Sequence, residues 1–270
     1  MGECTAITAQ RPLGAGDRAS VKSALRALDV IEYFSANTAP ARTVDVSEAL
    51  GIPNSSADEI LRTLAKRGYL CFNRTTKRYA PSYKIVGTAN AIEQGFFGGD
   101  RLRSLMTKLR DETGATVCLT TQNDCWIESV AEVRGDWQGH TQPLDFEREL
   151  ICYGDDGWRP ATNFSGALLA WHSNGEIIEL ADRSREIGIG PRAPSLMKEL
   201  IDRVSRIRAR GFALCQRNDT VQVDSIACPL RVPNAVTPFA IGILGQHLFD
   251  NERDKAKMVS TVQAVIGGRA

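Results

Sequence analysis

No stretch of the 270-residue chain approaches the roughly 18 consecutive apolar residues that a membrane-spanning helix needs. The first twenty residues lack the apolar core of a secretory leader, so a cytoplasmic protein with no membrane partner is expected. Histidine is scarce, and His140, His172 and His247 are too scattered for a metal site or a catalytic triad. The 7 cysteines, an odd number without paired spacing, fit a reducing compartment better than a disulfide framework. Cys118 and Cys125 stand on different predicted strands, farther apart than zinc ligands, and read as buried free thiols. Charge of one sign is also missing: 33 basic side chains face 32 acidic ones, formally +1. Taken over the whole chain, that balance counts against a nucleic-acid partner.

Catalytic signatures are absent as well. The run Asn163-Phe164-Ser165-Gly166-Ala167 lacks both glycines of a nucleophile elbow. Gly188, Gly190 and Ala193 loosely imitate a dinucleotide-binding loop, but Pro191 interrupts it and no clear strand leads in. An enzyme is therefore not expected, and neither a cofactor nor a metal is implied.

What is present is an ordinary globular composition, 43% hydrophobic and 24% charged, which excludes disorder for most of the chain. At about 150 residues per domain, the length predicts two domains. Charge separates between them. Residues 21–96 carry ten basic and seven acidic side chains, a net of +3, and residues 97–270 are left at −2. From Ser55 to Arg78 six cations face two carboxylates.

Residues 1–20, rich in Gly, Ala, Thr and Pro without periodicity, read as a disordered arm. Ser20 is a plausible cap for a helix whose apolar stripe is Val21, Leu25, Leu28, Ile31 and Phe34. Asn37 to Ala41 breaks it. Thr43 is expected to cap a short second helix that Gly51 closes. A third helix is expected to begin at Ser55, with Asp58 as its capping-box partner and Ala57, Ile60, Leu61 and Leu64 as the buried stripe. Gly68 ends it. Tyr69 to Phe72 and Arg78 to Ala80 then form a hairpin around a polar tip, Asn73 to Lys77. Another helix is predicted from Ser82 to Gln94, with Tyr83, Val86 and Ala89 to one side. Three helices with a short turn between the second and third, then a hairpin, make a winged helix-turn-helix.

With the apolar stripe inward, the third helix presents Ser55, Ser56, Asp58, Glu59, Arg62, Thr63 and Lys66 outward. A major groove about 12 Å wide accepts such a helix. Thr43, at the head of the second helix, joins the DNA-facing set. Arg74, Lys77 and Arg78 on the hairpin suit phosphate or minor-groove contact. Asp58 is best explained by capping. Glu59 is the better candidate for base discrimination, because a carboxylate accepts a hydrogen bond from cytosine N4.

Beyond Asp100 the pattern is α+β. Helices are predicted at Arg101 to Glu112, Ser165 to His172, Glu176 to Leu180, Ser195 to Arg210 and Asn251 to Ile266. Strands are predicted at Thr116 to Thr121, Trp126 to Val133, Ser225 to Val232 and Pro238 to Gln246. Residues 134–160 are loop-rich by pattern. Antiparallel strands interleaved with helices point to one sensor-like domain.

The segments "ALGIPNSSA", "LRTLAKRGYL" and "RYAPSYKI" in the front half, with "PATNFSGALLAW" and "RARGFALCQRNDTVQVDSIACPLR" behind, resemble the IclR (isocitrate lyase regulator) family of bacterial transcription factors. The resemblance spans roughly residues 20–266. It implies a winged helix-turn-helix over 21–81, a linker and dimerisation helix over 82–98, and a GAF-like α/β effector-binding domain over 99–270. It implies binding of palindromic double-stranded operator DNA as a homodimer or dimer of dimers, with repression favoured over activation. The alternative is a small-molecule sensor that has lost DNA binding.

By position, the resemblance places Phe164, Ser165, Cys215, Val223, Ser225, Gly242 and Leu244 at the effector pocket. Where the family usually carries Gly-Lys, this chain has Ser165 and Gly166. Where it often carries acidic or small polar residues, this chain has Cys215 to Asn218, Gly242 and Leu244. The pocket is therefore expected to take an organic acid or aromatic compound of largely apolar character. Trp137, Phe146 and Trp158, in a stretch longer than the family's, are candidates to reach it. Asp58 and Glu59 replace residues that are more often basic or polar.

Overall fold

Apolar residues one helical turn apart, and a hairpin that covers them, build the front of the molecule. The computed structural model describes residues 21–97, 101–135, 147–154, 157–160, 162–189, 197–216, 223–232 and 235–267. The chain divides into two units, Met1–Gln94 and Gly95–Ala270.

In the first unit, α1 (Lys22–Ala36), α2 (Thr43–Leu50) and α3 (Asn54–Lys66) are followed by β1 (Leu70–Asn73) and β2 (Arg78–Pro81). Val30, Phe34, Ala41, Val46, Leu61, Leu64, Leu70 and Tyr79 form its core. Ile60 contributes only partly. The strands pair antiparallel from Leu70↔Pro81 to Asn73↔Arg78, and Ala41 bridges to Tyr79, tying the α1–α2 connection to the hairpin. At the hairpin tip the Asn73 side chain accepts the N–H groups of Thr75 and Thr76 at 2.9 and 3.0 Å. Lys77 closes the turn at φ +54°.

Three helix starts differ from expectation. Ser20 lies outside the described residues, and Val21 occupies the cap position of α1. Arg42, not Thr43, precedes α2; the Asp45 carboxylate accepts the Arg42 N–H at 2.8 Å, so the third residue of the helix does the capping. Pro53 precedes α3 and places its first residue at Asn54. Ser55 is thus already inside the first turn, and Asp58 caps nothing: its carboxylate turns forward to Arg62. Helix α4 (Tyr83–Phe97) continues through Gly95, because one glycine weakens a helix without ending it.

The second unit is a six-stranded antiparallel sheet with helices on both faces. Its elements are α5 (Arg101–Thr113), β3 (Thr116–Asn123), β4 (Trp126–Val133), β5 (Glu147–Glu149), β6 (Ile151–Gly154), β7 (Gly157–Pro160), α6 (Asn163–Leu169), α7 (Asn174–Glu186), α8 (Met197–Arg210), β8 (Ala213–Cys215), β9 (Asp224–Leu230), β10 (Phe239–Gly245) and α9 (Glu252–Gly267). The strand order is β5-β4-β3-β10-β9-β8, with β6 and β7 paired separately. Side chains alternate across each strand. Val117, Leu119, Ile226, Cys228, Ile241 and Ile243 pack under α5 and α9. Cys118, Ala227, Ala240 and Leu244 pack toward α6, α7 and α8. A strand apolar on both faces gives the unbroken apolar run of β10, and Ile226 to Leu230 continue the pattern in β9.

Two helices here begin earlier than the pattern suggested. Thr162 caps α6, its Oγ1 accepting the Ser165 N–H at 3.0 Å, so the helix starts at Asn163. Ser173 and Glu176 form a capping box that starts α7 at Asn174. The loop-rich stretch holds three short strands, β5 to β7, too brief for a period of two to register.

Candidate nucleic-acid interface and effector pocket

Burying Ala57, Leu61 and Leu64 turns the rest of α3 outward. Ser55, Glu59, Arg62, Thr63 and Lys66 are exposed, while Ser56 and Asp58 are half-buried. Ser56 is held from α1: Arg26 Nη1 donates to its Oγ at 3.4 Å. Thr63 Oγ1 donates to the Glu59 main-chain carbonyl at 2.8 Å, and the Glu59 carboxylate has no partner among the described residues. Asp58 and Arg62 form an ion pair one turn apart. Thr43 is half-buried at the head of α2.

The hairpin divides its cations. Arg74 and Lys77 stand exposed at the tip. Arg78 is anchored at the base, its Nη1 donating to the Pro40 carbonyl at 2.8 Å and lying 3.9 Å from Asp45. Among the described residues Lys66, Arg67, Arg74 and Lys77 have no carboxylate partner. Arg26 escaped the sequence reading, because its contact spans 30 residues and carries no local signal. Lys84 was also missed. It donates to the Arg67 carbonyl at 2.7 Å and lies 4.7 Å from the centre of the Tyr69 ring, fastening the start of α4 to the end of α3.

In the second unit, sheet register places Cys215 beside Ser225 and Ser225 beside Leu244. Partners in register share a face, so the three form a row across β8, β9 and β10 on the α6 side. The Asn163 amide donates to the Ser225 carbonyl at 3.1 Å and to its Oγ at 2.9 Å. Phe164 lies against Gly242, where a Cβ would come within 3.0 Å of the ring. Phe164, Cys215, Ser225, Gly242 and Leu244 are therefore brought together, and Val223 leads into β9. Ser165 is fully buried with its Oγ 3.0 Å from that of Thr162, so its hydroxyl is engaged in the helix start. Asn163, the polar contact to the sheet, was not predicted; the Thr162 cap that positions it is the signal that would have found it.

Burial, with Asp224 adding to it, pushes the Cys215 thiol up from its usual range. Trp137 and Phe146 lie outside the described residues, as does the Trp158 side chain. Two shallow clefts share no residue with this wall. One of about 620 Å3 follows the outer face of α5, and one of about 270 Å3 lies beside α7.

The groups weighed for catalysis fall into structural roles. His172 Nε2 lies 2.6 Å from Gln122 Oε1; burial pushes its pKa down, with Glu176 opposing and Arg208 adding. His247 pairs with Asp250 at 3.2 Å on the surface. Cys118 and Cys125 are buried free thiols. No group of three or more His, Cys, Asp or Glu suited to a metal occurs among the described residues. His140, Gly190 and Ala193 lie outside them.

A helix-turn-helix with a hairpin wing, joined in sequence to a sheet unit with helices on both faces, is a class of architecture that DNA-binding transcriptional regulators use. The family described as the IclR helix-turn-helix domain matches residues 23–73. The chain is 21% identical over 216 residues to the HTH-type transcriptional regulator XynR of Escherichia coli, covering 78% of this chain and 80% of that one. It is 24% identical over 223 residues to the HTH-type transcriptional regulator BhcR of Paracoccus denitrificans, covering 81% and 75%. Its fold matches the crystal structure of the Thermotoga maritima IclR with a TM-score of 0.63 at 17% identity, over 91% of this chain and 96% of that one. An IclR homolog from Microbacterium hydrocarbonoxydans, crystallised with 4-hydroxybenzoate, matches with a TM-score of 0.58 at 14% identity, over 91% and 98%. Residues 23–73 match the IclR helix-turn-helix domain, and over most of its length the chain is similar in fold to IclR regulators.

Proposed function

We propose that the protein is a cytoplasmic repressor that binds palindromic operator DNA as a homodimer, or a dimer of dimers, and releases it when a small organic acid binds the second unit. The observation that carries this reading is the exposed outer face of α3 beside a wing whose tip cations, Arg74 and Lys77, have no carboxylate partner among the described residues. Ser55, Ser56, Glu59 and Thr63 face base edges in the major groove. Lys66, Arg74, Lys77 and Arg78, with Thr43, meet the backbone.

The proposed division of labour is a DNA-binding module over 21–81, a linker over 82–98 and an effector domain over 99–270; the arm expected over residues 1–20 lies outside the described residues. Dimerisation is assigned to the linker helix, because α4 exposes Tyr83 (87%), Val86 (44%) and Ile92 (54%). A twofold pair of α3 helices would stand about 34 Å apart, one turn of DNA.

The effector is assigned to the wall formed by Phe164, Ser165, Cys215, Val223, Ser225, Gly242 and Leu244. An aromatic ring is assigned to the side of Phe164, with the Asn163 amide and Ser225 hydroxyl as the few polar contacts such pockets use. The homolog crystallised with 4-hydroxybenzoate supports an aromatic acid. The ligand shifts operator affinity only by its differential affinity for the two states.

The test is a gel-shift series with DNA from upstream of the gene, over several salt concentrations, with and without 4-hydroxybenzoate, benzoate and aliphatic acids. Binding that weakens with salt and is relieved by an aromatic acid is the expected result. Absence of binding to every duplex at low salt would sink the repressor reading in favour of a sensor alone. Stabilisation by strongly polar acids only would sink the aromatic assignment.

A further inference from the structure

The two carboxylates on the outer face of α3 are not equivalent. Asp58 holds the Arg62 guanidinium one turn on, whereas Glu59 has no cation among the described residues. Arg62 remains 72% exposed and Asp58 35%, so the pair lies on the surface and is not a contact imposed by packing. Side chains four apart on a helix have Cβ atoms about 5–6 Å apart, and an acid preceding a base is the favourable order.

Resting on the reading of α3 as the DNA-facing helix, we propose that Asp58 is a positioning residue that withholds Arg62 from the DNA backbone. It thereby lowers the sequence-independent part of the affinity. Phosphate contacts supply affinity common to every duplex. An arginine retained by a carboxylate is removed from that sum, and the binding that remains rests more heavily on base contacts. A free Arg62 beside Lys66 would give the helix two adjacent phosphate-seeking cations. The paired Arg62 leaves Lys66, Arg67 and the wing tip to supply the charge.

The test is fluorescence-anisotropy titration of the full chain with a random-sequence duplex of about 30 base pairs, roughly three helical turns, across a salt series. Asp58→Asn removes the charge and keeps the shape. It is expected to bind about three- to tenfold tighter at low salt, with a log K against log salt slope steeper by about 0.9, one further phosphate. Asp58→Glu keeps the pair and is expected to match the parent. Arg62→Ala alone should change little, and in the double variant the gain from Asp58→Asn should vanish. Asp58→Ser serves the same purpose should circular dichroism show the amide variant misfolded.

The proposal is overturned if removing the Asp58 charge leaves slope and affinity unchanged. It is equally overturned if the gain persists without Arg62, since Asp58 would then act by direct repulsion of phosphates. A parent protein that binds no duplex at low salt overturns the DNA-binding reading itself, an outcome distinct from either.

Discussion

Phe164 packs its ring against the bare Cα of Gly242, where a Cβ would stand 3.0 Å from the ring and 2.2 Å from the Ile226 carbonyl oxygen. Neither neighbour has room to give, because β9 and β10 are paired through this point and Phe164 is 4% exposed. Gly242→Ala is expected to destabilise the second unit by about 1–3 kcal/mol, the usual cost of overpacking. It should also abolish stabilisation by any ligand seated beside Phe164. Thermal unfolding with and without aromatic acids reads both effects; an unchanged Tm would show the wall to be loosely packed.

The wing cations should separate by anchorage. Arg74→Ala and Lys77→Ala are each expected to weaken binding to all duplexes nearly uniformly and to reduce the salt slope by about 0.9. Arg78→Ala should also lower the Tm of the first unit, because its guanidinium holds the Pro40 carbonyl. A sequence-selective loss on removing Arg74 would place that side chain on base edges instead.

Glu59 is the acceptor left unengaged on α3. Glu59→Gln is expected to relax preference at a cytosine-bearing position by about 1–3 kcal/mol with little effect on helix stability. Selection of binding sites from random duplexes by parent and variant compares the two preferences directly. Identical selected sites would remove Glu59 from base recognition.

The buried thiols predict an alkaline limit. Burial pushes Cys228 up to about 12 from an ordinary 9.0, and pushes Cys118 higher still, with Glu132 adding to the effect. The native state then holds protons that the unfolded chain releases. These groups contribute full stability below pH 9 and lose it as pH rises through the folded values, by about 1.4 kcal/mol per pH unit for each thiol. Denaturant unfolding between pH 8 and pH 10 should show the decline, and Cys228→Ala should flatten part of it. At pH 8 a thiol reagent should label exposed Cys71 and leave Cys118 and Cys228 untouched until unfolding.

Much of the architecture was legible locally. The apolar stripe Ala57, Leu61, Leu64 of α3 repeats at helical spacing, and the hairpin announces itself by a polar tip between two apolar runs. In α1 the expected stripe is fully buried only at Phe34, for Val21 and Leu28 are exposed and Val30 is buried in their place. The charge of the front segment was legible for the same reason: it is a property of neighbours in the chain. Strands β5 to β8 were not legible, because three or four residues establish no period. Helix starts were misplaced wherever a residue just outside the helix decided them, as Pro53 does for α3, Thr162 for α6 and Ser173 for α7.

By itself the sequence determined most of the longer helices and strands, the buried face of α3, and the likeness of the front segment to an IclR helix-turn-helix domain. These follow from spacing within one or two turns, where backbone geometry leaves few choices. Only the tertiary structure decided which distant residues meet. Asp224 reads in sequence as a polar residue before a strand. In the fold it is fully buried, accepting the N–H groups of Leu248 and Phe249, just past the end of the neighbouring strand β10, at 2.9 and 3.3 Å. The Cys215, Ser225 and Leu244 row and the reach of Arg26 to Ser56 are of the same kind. Each depends on where a packed neighbour leaves a side chain to point, and chain spacing alone carries no record of that.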